Sequence, residues 1–160
     1  MHNHAPRNYK CPLCLLLGGM DDPVFSTQAD IVYQDETVTI LISSHHWTHH
    51  SGNVIIIPNR HYENIYDLPD GIGAKIYAAT RRVAQAMKQA YGCEGISTRQ
   101  HNEPAGNQDV FHFHMHVFPR FMGDQLYGAE KTYTPPEERL DNARNLRSAL
   151  GGLSFKPDDE

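Results

Sequence analysis

Phe111-His112-Phe113-His114-Met115-His116-Val117-Phe118 alternates apolar and imidazole side chains. A β-strand sends successive side chains to opposite faces. His112, His114 and His116 therefore share one face, and Phe111, Phe113, Met115 and Val117 pack on the other. Same-face neighbours lie about 6.5–7 Å apart, from a rise of about 3.3 Å per residue. Threonine, lysine or glutamate would serve a solvated face as well, so three imidazoles in register point to chemistry. Two kinds fit. One imidazole can attack phosphorus while its neighbours position the phosphate, since unperturbed imidazole, with a pKa of about 6.5, is largely neutral at pH 7. Alternatively, several of the three can ligate a catalytic metal. Periodicity alone leaves both open.

A second group of ligand-type residues stands near the N-terminus, where Cys11-Pro12-Leu13-Cys14 forms a C-x-x-C. In a cytosolic protein this spacing marks metal binding or redox chemistry, and redox use wants a thioredoxin-like βαβ setting that this chain lacks. The third cysteine, Cys93, follows a helical segment and reads as a bystander. The formal net charge of −5 argues against a protein that holds nucleic acid by neutralising its backbone. It leaves room for a small anionic ligand bound by a few N–H groups and imidazoles.

The elements that must carry these residues are readable. Ile31–Tyr33 and Thr37–Ser43 are rich in β-branched residues and form a hairpin around residues 34–36. Val54–Ile57 is a continuous apolar run, as in a strand buried on both faces, and Pro58 ends it. Gly95–Gln100 and Phe111–Arg120 supply two more strands, about five in all. Residues 70–91 place Ile72, Ile76, Ala79, Val83, Ala86, Met87 and Ala90 on one helical stripe, and Gly92 stops it. Cys11–Leu17 reads as a knuckle running into a helical turn that Gly18-Gly19 ends. Residues 44–52, with four histidines and Trp47, read as a loop. Thr134 and Glu137 have the spacing of a capping box, followed by a short amphipathic helix near 136–150. At 160 residues the chain is expected to be one domain, with a flexible lead (1–10), a core (11–120), a C-terminal extension (121–160) and a polar tail. It shows neither a signal-peptide layout nor a run of about 18 apolar residues, and a cytoplasmic protein is expected.

Residues 106–120, from Gly106 through the three histidines to Pro119-Arg120, closely resemble the signature of the histidine triad (HIT) family. Upstream, Gly52-Asn53-Val54-Ile55-Ile56-Ile57-Pro58-Asn59-Arg60-His61 resembles the family's apolar strand and P-x-x-H. The resemblance implies an α+β fold, with an antiparallel sheet, one long helix and a short C-terminal helix, assembled as a homodimer. It implies nucleotide hydrolase or transferase activity at the α-phosphate, through a covalent nucleotidyl-histidine on His114. His116 would contact the phosphate, with Asn102 and Gln108 as further donors. In zinc-containing relatives the C-x-x-C is completed by the P-x-x-H histidine and the first triad histidine. That implies a structural zinc on Cys11, Cys14, His61 and His112.

The sequence departs from the family pattern at three substrate-side positions. Asn53 stands where a fourth histidine is usual; it can hydrogen-bond but cannot become cationic. Ser43 stands where an aspartate normally holds the ribose hydroxyls, and a histidine of the 45–50 loop could replace the missing donors. Asp109 stands where some branches carry Ser or Thr; if protonated it could assist the leaving group, and as a loop cap it would be equally at home. Two other functions stay open beside the enzyme. One is a nucleotide-binding regulator with little turnover, and the other a metal-dependent hydrolase using the histidine strand.

Overall fold

The computed structural model describes residues 2–21, 25–48 and 50–152. His49 and the tail at 153–160 lie outside them. In chain order the elements are α1 (Pro12–Leu17), β1 (Ile31–Gln34), β2 (Val38–Ile42), β3 (His45–Trp47), β4 (Val54–Pro58), α2 (Asp70–Tyr91), β5 (Gly95–Gln100), β6 (Met115–Arg120), β7 (Lys131–Tyr133) and α3 (Pro136–Gly151). Five strands form one sheet in the order β1-β2-β4-β6-β5, antiparallel at every neighbouring pair. This is the expected α+β architecture.

β2 and β4 are buried along their whole length because the sheet is covered twice. Ile40, Ile42, Ile56, Phe113 and Val117 face the helical layer, where Ile76, Val83 and Met87 of α2 and Leu146 of α3 complete the larger core. The alternate residues Leu41, Ile55 and Ile57 face the other way, onto Leu13 and Leu16 of α1. Side-chain alternation thus feeds two apolar layers from one run of sequence. α2 has the expected bounds, and Gly92 ends it in the left-handed conformation at φ 61°. Among the described residues no helix is long and apolar enough to cross a membrane.

Four local expectations are revised. The histidine segment is not ladder-paired throughout: β6 begins at Met115, where its pairing with Ile56 and Gln100 starts. Ahead of it His112 N donates to Val110 O at 2.9 Å, a turn that swings Phe111 off the helical face. Phe111 instead meets Tyr9 edge-on, at 5.6 Å between centroids. The 44–52 segment is not all loop, since β3 pairs with β7 as a two-stranded sheet. Thr134 makes no capping box, because its hydroxyl bonds Nδ1 of His46, and Pro135 takes the cap position of α3 without a side-chain hydrogen bond. Finally, the polar lead, read as flexible, runs against residues 63–64 and 103. Asn64 Nδ2 donates to Asn3 Oδ1 at 2.9 Å, and the ring of His4 and the carboxylate of Glu103 meet at 2.9 Å.

Candidate functional site

α1 begins at a thiol. Cys11 is its N-cap, and the Cys11 sulfur accepts from the Cys14 backbone N–H at 3.4 Å. That turn brings both sulfurs against the end of β4 and the residues ahead of β6. Cys11 Sγ lies 3.3 Å from His112 Nδ1, Cys14 Sγ 3.6 Å from the same nitrogen, and Cys14 Sγ 3.4 Å from His61 Nδ1. The four ligand atoms all lie within 4.8 Å of one another. A tetrahedral ion with bonds of about 2.3 Å to sulfur and about 2.0–2.1 Å to nitrogen sets its S···N edges near 3.5 Å. The observed spacings match that figure.

His112 is prepared as a ligand. Its Nε2–H donates to Pro58 O at 3.0 Å, so the lone pair sits on Nδ1, facing the sulfurs. Burial is the main reason its pKa is lowered to about 4, which keeps the ring neutral. Burial, and then the neighbouring Cys11, push the Cys14 thiol up to about 12. Two thiolates at this spacing therefore want a cation.

On the pocket side of this cluster His114 and His116 line a cavity of about 290 Å³. The His114 ring is buried, and its Nδ1–H donates to the His112 carbonyl oxygen at 2.7 Å. Nε2 is therefore the unprotonated nitrogen. His116 follows at 4.9 Å between ring centroids. Burial, ahead of any neighbouring charge, lowers the pKa of both rings, and His114 further depresses His116. His116 rests on Phe118, nearly parallel at 19° and 5.7 Å, and its Nδ1 is buried with no partner among the described residues.

The remaining sequence-named residues divide. Ser43 and Asp109 line the same cavity. Asp109 is bonded to Lys131 at 2.5 Å. Burial pushes its carboxyl up, but the Lys131 hydrogen bond and charge outweigh that and hold it below the usual value. A protonated Asp109 is thus not what the structure offers. Asn53 is buried, and both side-chain amide atoms lack partners among the described residues. Strand alternation puts it on the face of Ile55, the histidine face. Asn102 and Gln108 do not line the cavity; they brace loops. Asn102 Oδ1 accepts from Ile65 N at 2.8 Å. Gln108 Nε2 donates to Glu63 O at 2.6 Å, and its Oε1 accepts from Glu103 N at 2.8 Å.

Three residues at the site carry no individual assignment from sequence, though His45 is one of the loop histidines offered there as replacement donors. His45 and Lys131 line the cavity from β3 and β7. Trp47 sets its ring edge-on to His116 at 5.8 Å and to Phe118 at 5.1 Å. No local pattern announces the pairing of 45–47 with 131–133, which alone brings these residues to the site.

Fold and site together define an α+β protein with a histidine-lined cavity, backed by a thiol–imidazole cluster able to hold a metal. Residues 25–123 match the model of the HIT domain, and the chain belongs to the HIT family. It is similar to the protein hit of Bacillus subtilis (strain 168), 27% identical over 147 residues covering 92% of this chain and 94% of that one. An adenylylsulfatase of Arabidopsis thaliana is 25% identical over 120 residues, 75% of this chain and 57% of that protein. The crystal structure of a zinc-bound histidine triad family protein from Mycobacterium smegmatis superposes with a TM-score of 0.72 at 26% identity, covering 89% of this chain and 94% of that one.

Proposed function

We propose that the chain is a nucleotide hydrolase or transferase that cleaves at the α-phosphate through a covalent nucleotidyl-histidine on His114. The carrying observation is the hydrogen bond from His114 Nδ1–H to the His112 carbonyl oxygen, which leaves Nε2 as an unprotonated nucleophile. Nε2 attacks phosphorus, the bond to the leaving group breaks with its electron pair, and water or another acceptor then displaces the histidine. Splitting one displacement into two is the advantage of a nucleophilic side chain. His116, buried and neutral in the same cavity, is placed to donate to a phosphoryl oxygen as charge develops there. Leu13, Phe25, Ile55 and Val110 give the cavity an apolar wall suited to a nucleoside.

Cys11, Cys14, His61 and His112 would hold a structural zinc, as the S···N spacings and the similarity to the zinc-bound Mycobacterium smegmatis protein support. Four protein ligands close such a site, so zinc supplies rigidity rather than a reaction step. Assembly as a homodimer belongs to the same proposal and is checked by sedimentation.

Turnover of a nucleotide panel by the full chain and by His114→Ala tests the reading. The expected loss in the variant is at least about 10³-fold, with zinc content and melting temperature retained. Equal turnover by the two would remove His114 from the nucleophile role. Turnover that chelators abolish in a still-folded protein would favour a metal-dependent hydrolase.

A further inference from the structure

Lys131 lies outside residues 25–123, the span that the HIT domain model matches. It stands on β7 opposite Trp47 of β3, and it lines the same cavity as His114 and His116. Its Nζ is 5.8 Å from the centroid of the Trp47 ring. The cavity lining therefore joins an apolar wall and the two histidines to one cation. The cation has a resident counter-ion, Asp109, but the pair is half open to water, with side-chain exposures of 39% for Lys131 and 58% for Asp109. Exposed pairs of this kind contribute little, so a ligand oxyanion can replace the carboxylate at little cost.

We propose that Lys131 selects the leaving group, so that the cavity takes nucleotides whose α-phosphate is joined in an anhydride to a second oxyanion, a phosphate or a sulfate. This rests on the nucleotidyl-transfer reading above. His114 Nε2 forms the bond to the α-phosphorus, and the bridging P–O bond breaks. Its electron pair leaves with the phosphate or sulfate, whose developing charge the Lys131 ammonium meets. Such a leaving group departs as a stable oxyanion and needs no proton. An amine leaving group does need one, and Asp109, kept ionised by Lys131, has none to give.

Two arms test this. Trp47 is the sole tryptophan and lies beside Lys131, so its fluorescence reports binding directly. On a His114→Ala background, AMP, ADP and adenosine 5′-phosphosulfate are titrated into the full chain. The second anion should tighten binding at least about 5-fold over AMP. Lys131→Met should remove that gain, Lys131→Arg keep most of it, and Asp109→Asn enlarge it. Whichever of ADP and the phosphosulfate gains more identifies phosphate or sulfate as the occupant. In the second arm, kcat/KM is compared for an anhydride and an adenosine phosphoramidate. Lys131→Met should lower the anhydride-to-phosphoramidate ratio at least about 10-fold. Equal binding of AMP and ADP, or equal losses on both substrates, overturns the proposal and leaves nucleotidyl transfer standing. No turnover of either substrate, with Lys131-dependent binding intact, overturns the catalytic reading instead.

Discussion

Nδ1 of His114 lies 2.7 Å from the carbonyl oxygen of His112, so a single peptide group joins the cavity to the thiol–imidazole cluster. The ring of His112 belongs to one site and its carbonyl to the other. Whatever fixes the His112 ring therefore also fixes the tautomer of His114. The two sites share a wall as well, because Pro12 and Leu13, between the cluster's cysteines, line the cavity.

Metal removal should accordingly act on both. Cys11→Ala, or chelation of the full chain, should lower zinc content and melting temperature together and weaken nucleotide binding. A loss of about 2 kcal/mol corresponds to about 4–8 °C for a chain of this size. Elemental analysis beside calorimetry checks this, and unchanged metal content in Cys11→Ala would remove that residue from the cluster.

Gly52, just ahead of β4, should tolerate no side chain. Its φ is +84°, and a Cβ there would lie 2.9 Å from the Tyr91 ring. That ring is held between α2 and α3, its hydroxyl donating to Asn142 O at 3.3 Å. Strain and overpacking together set the cost of Gly52→Ala at about 2–5 kcal/mol. Gly92→Ala, at φ +61° with nothing within 4 Å, should cost only about 1–2 kcal/mol. Denaturant melts of the two variants should show that order, and the reverse would contradict the packing described.

Asp124 should make stability fall with acid. Hydrogen bonds from Arg120 chiefly, with those from the Phe121 and Leu126 backbone N–H groups and the adjacent His50 ring added, outweigh burial and hold its carboxyl well below the carboxylate range. Arg120 Nη2 is 2.6 Å from Oδ1, and His50 Nε2 is 2.8 Å from Oδ2. A folded-state pKa below the unfolded value of about 3.9 gives a contribution present in full above that value. It is lost as pH falls toward the folded value. Asp124→Asn should therefore melt lower than the parent at pH 7, with the gap closing below about pH 4. A gap that stays constant with pH would mean that Asp124 is not ionised in the fold.

What the sequence made legible was periodic or local. The stripe from Ile72 to Ala90 and the stop at Gly92 set α2 correctly, because both signals lie within the element. Alternation put His112, His114 and His116 on one side, and the cluster of Cys11, Cys14, His61 and His112 followed from the family resemblance. Alternation does not say where a ladder begins, so by itself it puts Phe111 on the wrong face. Nor does it foresee that Asn102 and Gln108 spend their amides on loop backbone. The pairing of His45–Trp47 with Lys131–Tyr133 joins segments more than 80 residues apart through side chains that do not alternate. It was invisible, and with it went Lys131 and Thr134.

The most direct test of the central claim is the covalent intermediate. The full chain is mixed with adenosine and guanosine phosphoramidates and anhydrides, quenched at alkaline pH, and mapped by mass spectrometry. The expected result is a nucleotide monophosphate on His114, absent from His114→Ala. Turnover with the adduct on another residue, or nucleotide binding with neither adduct nor turnover, would contradict it.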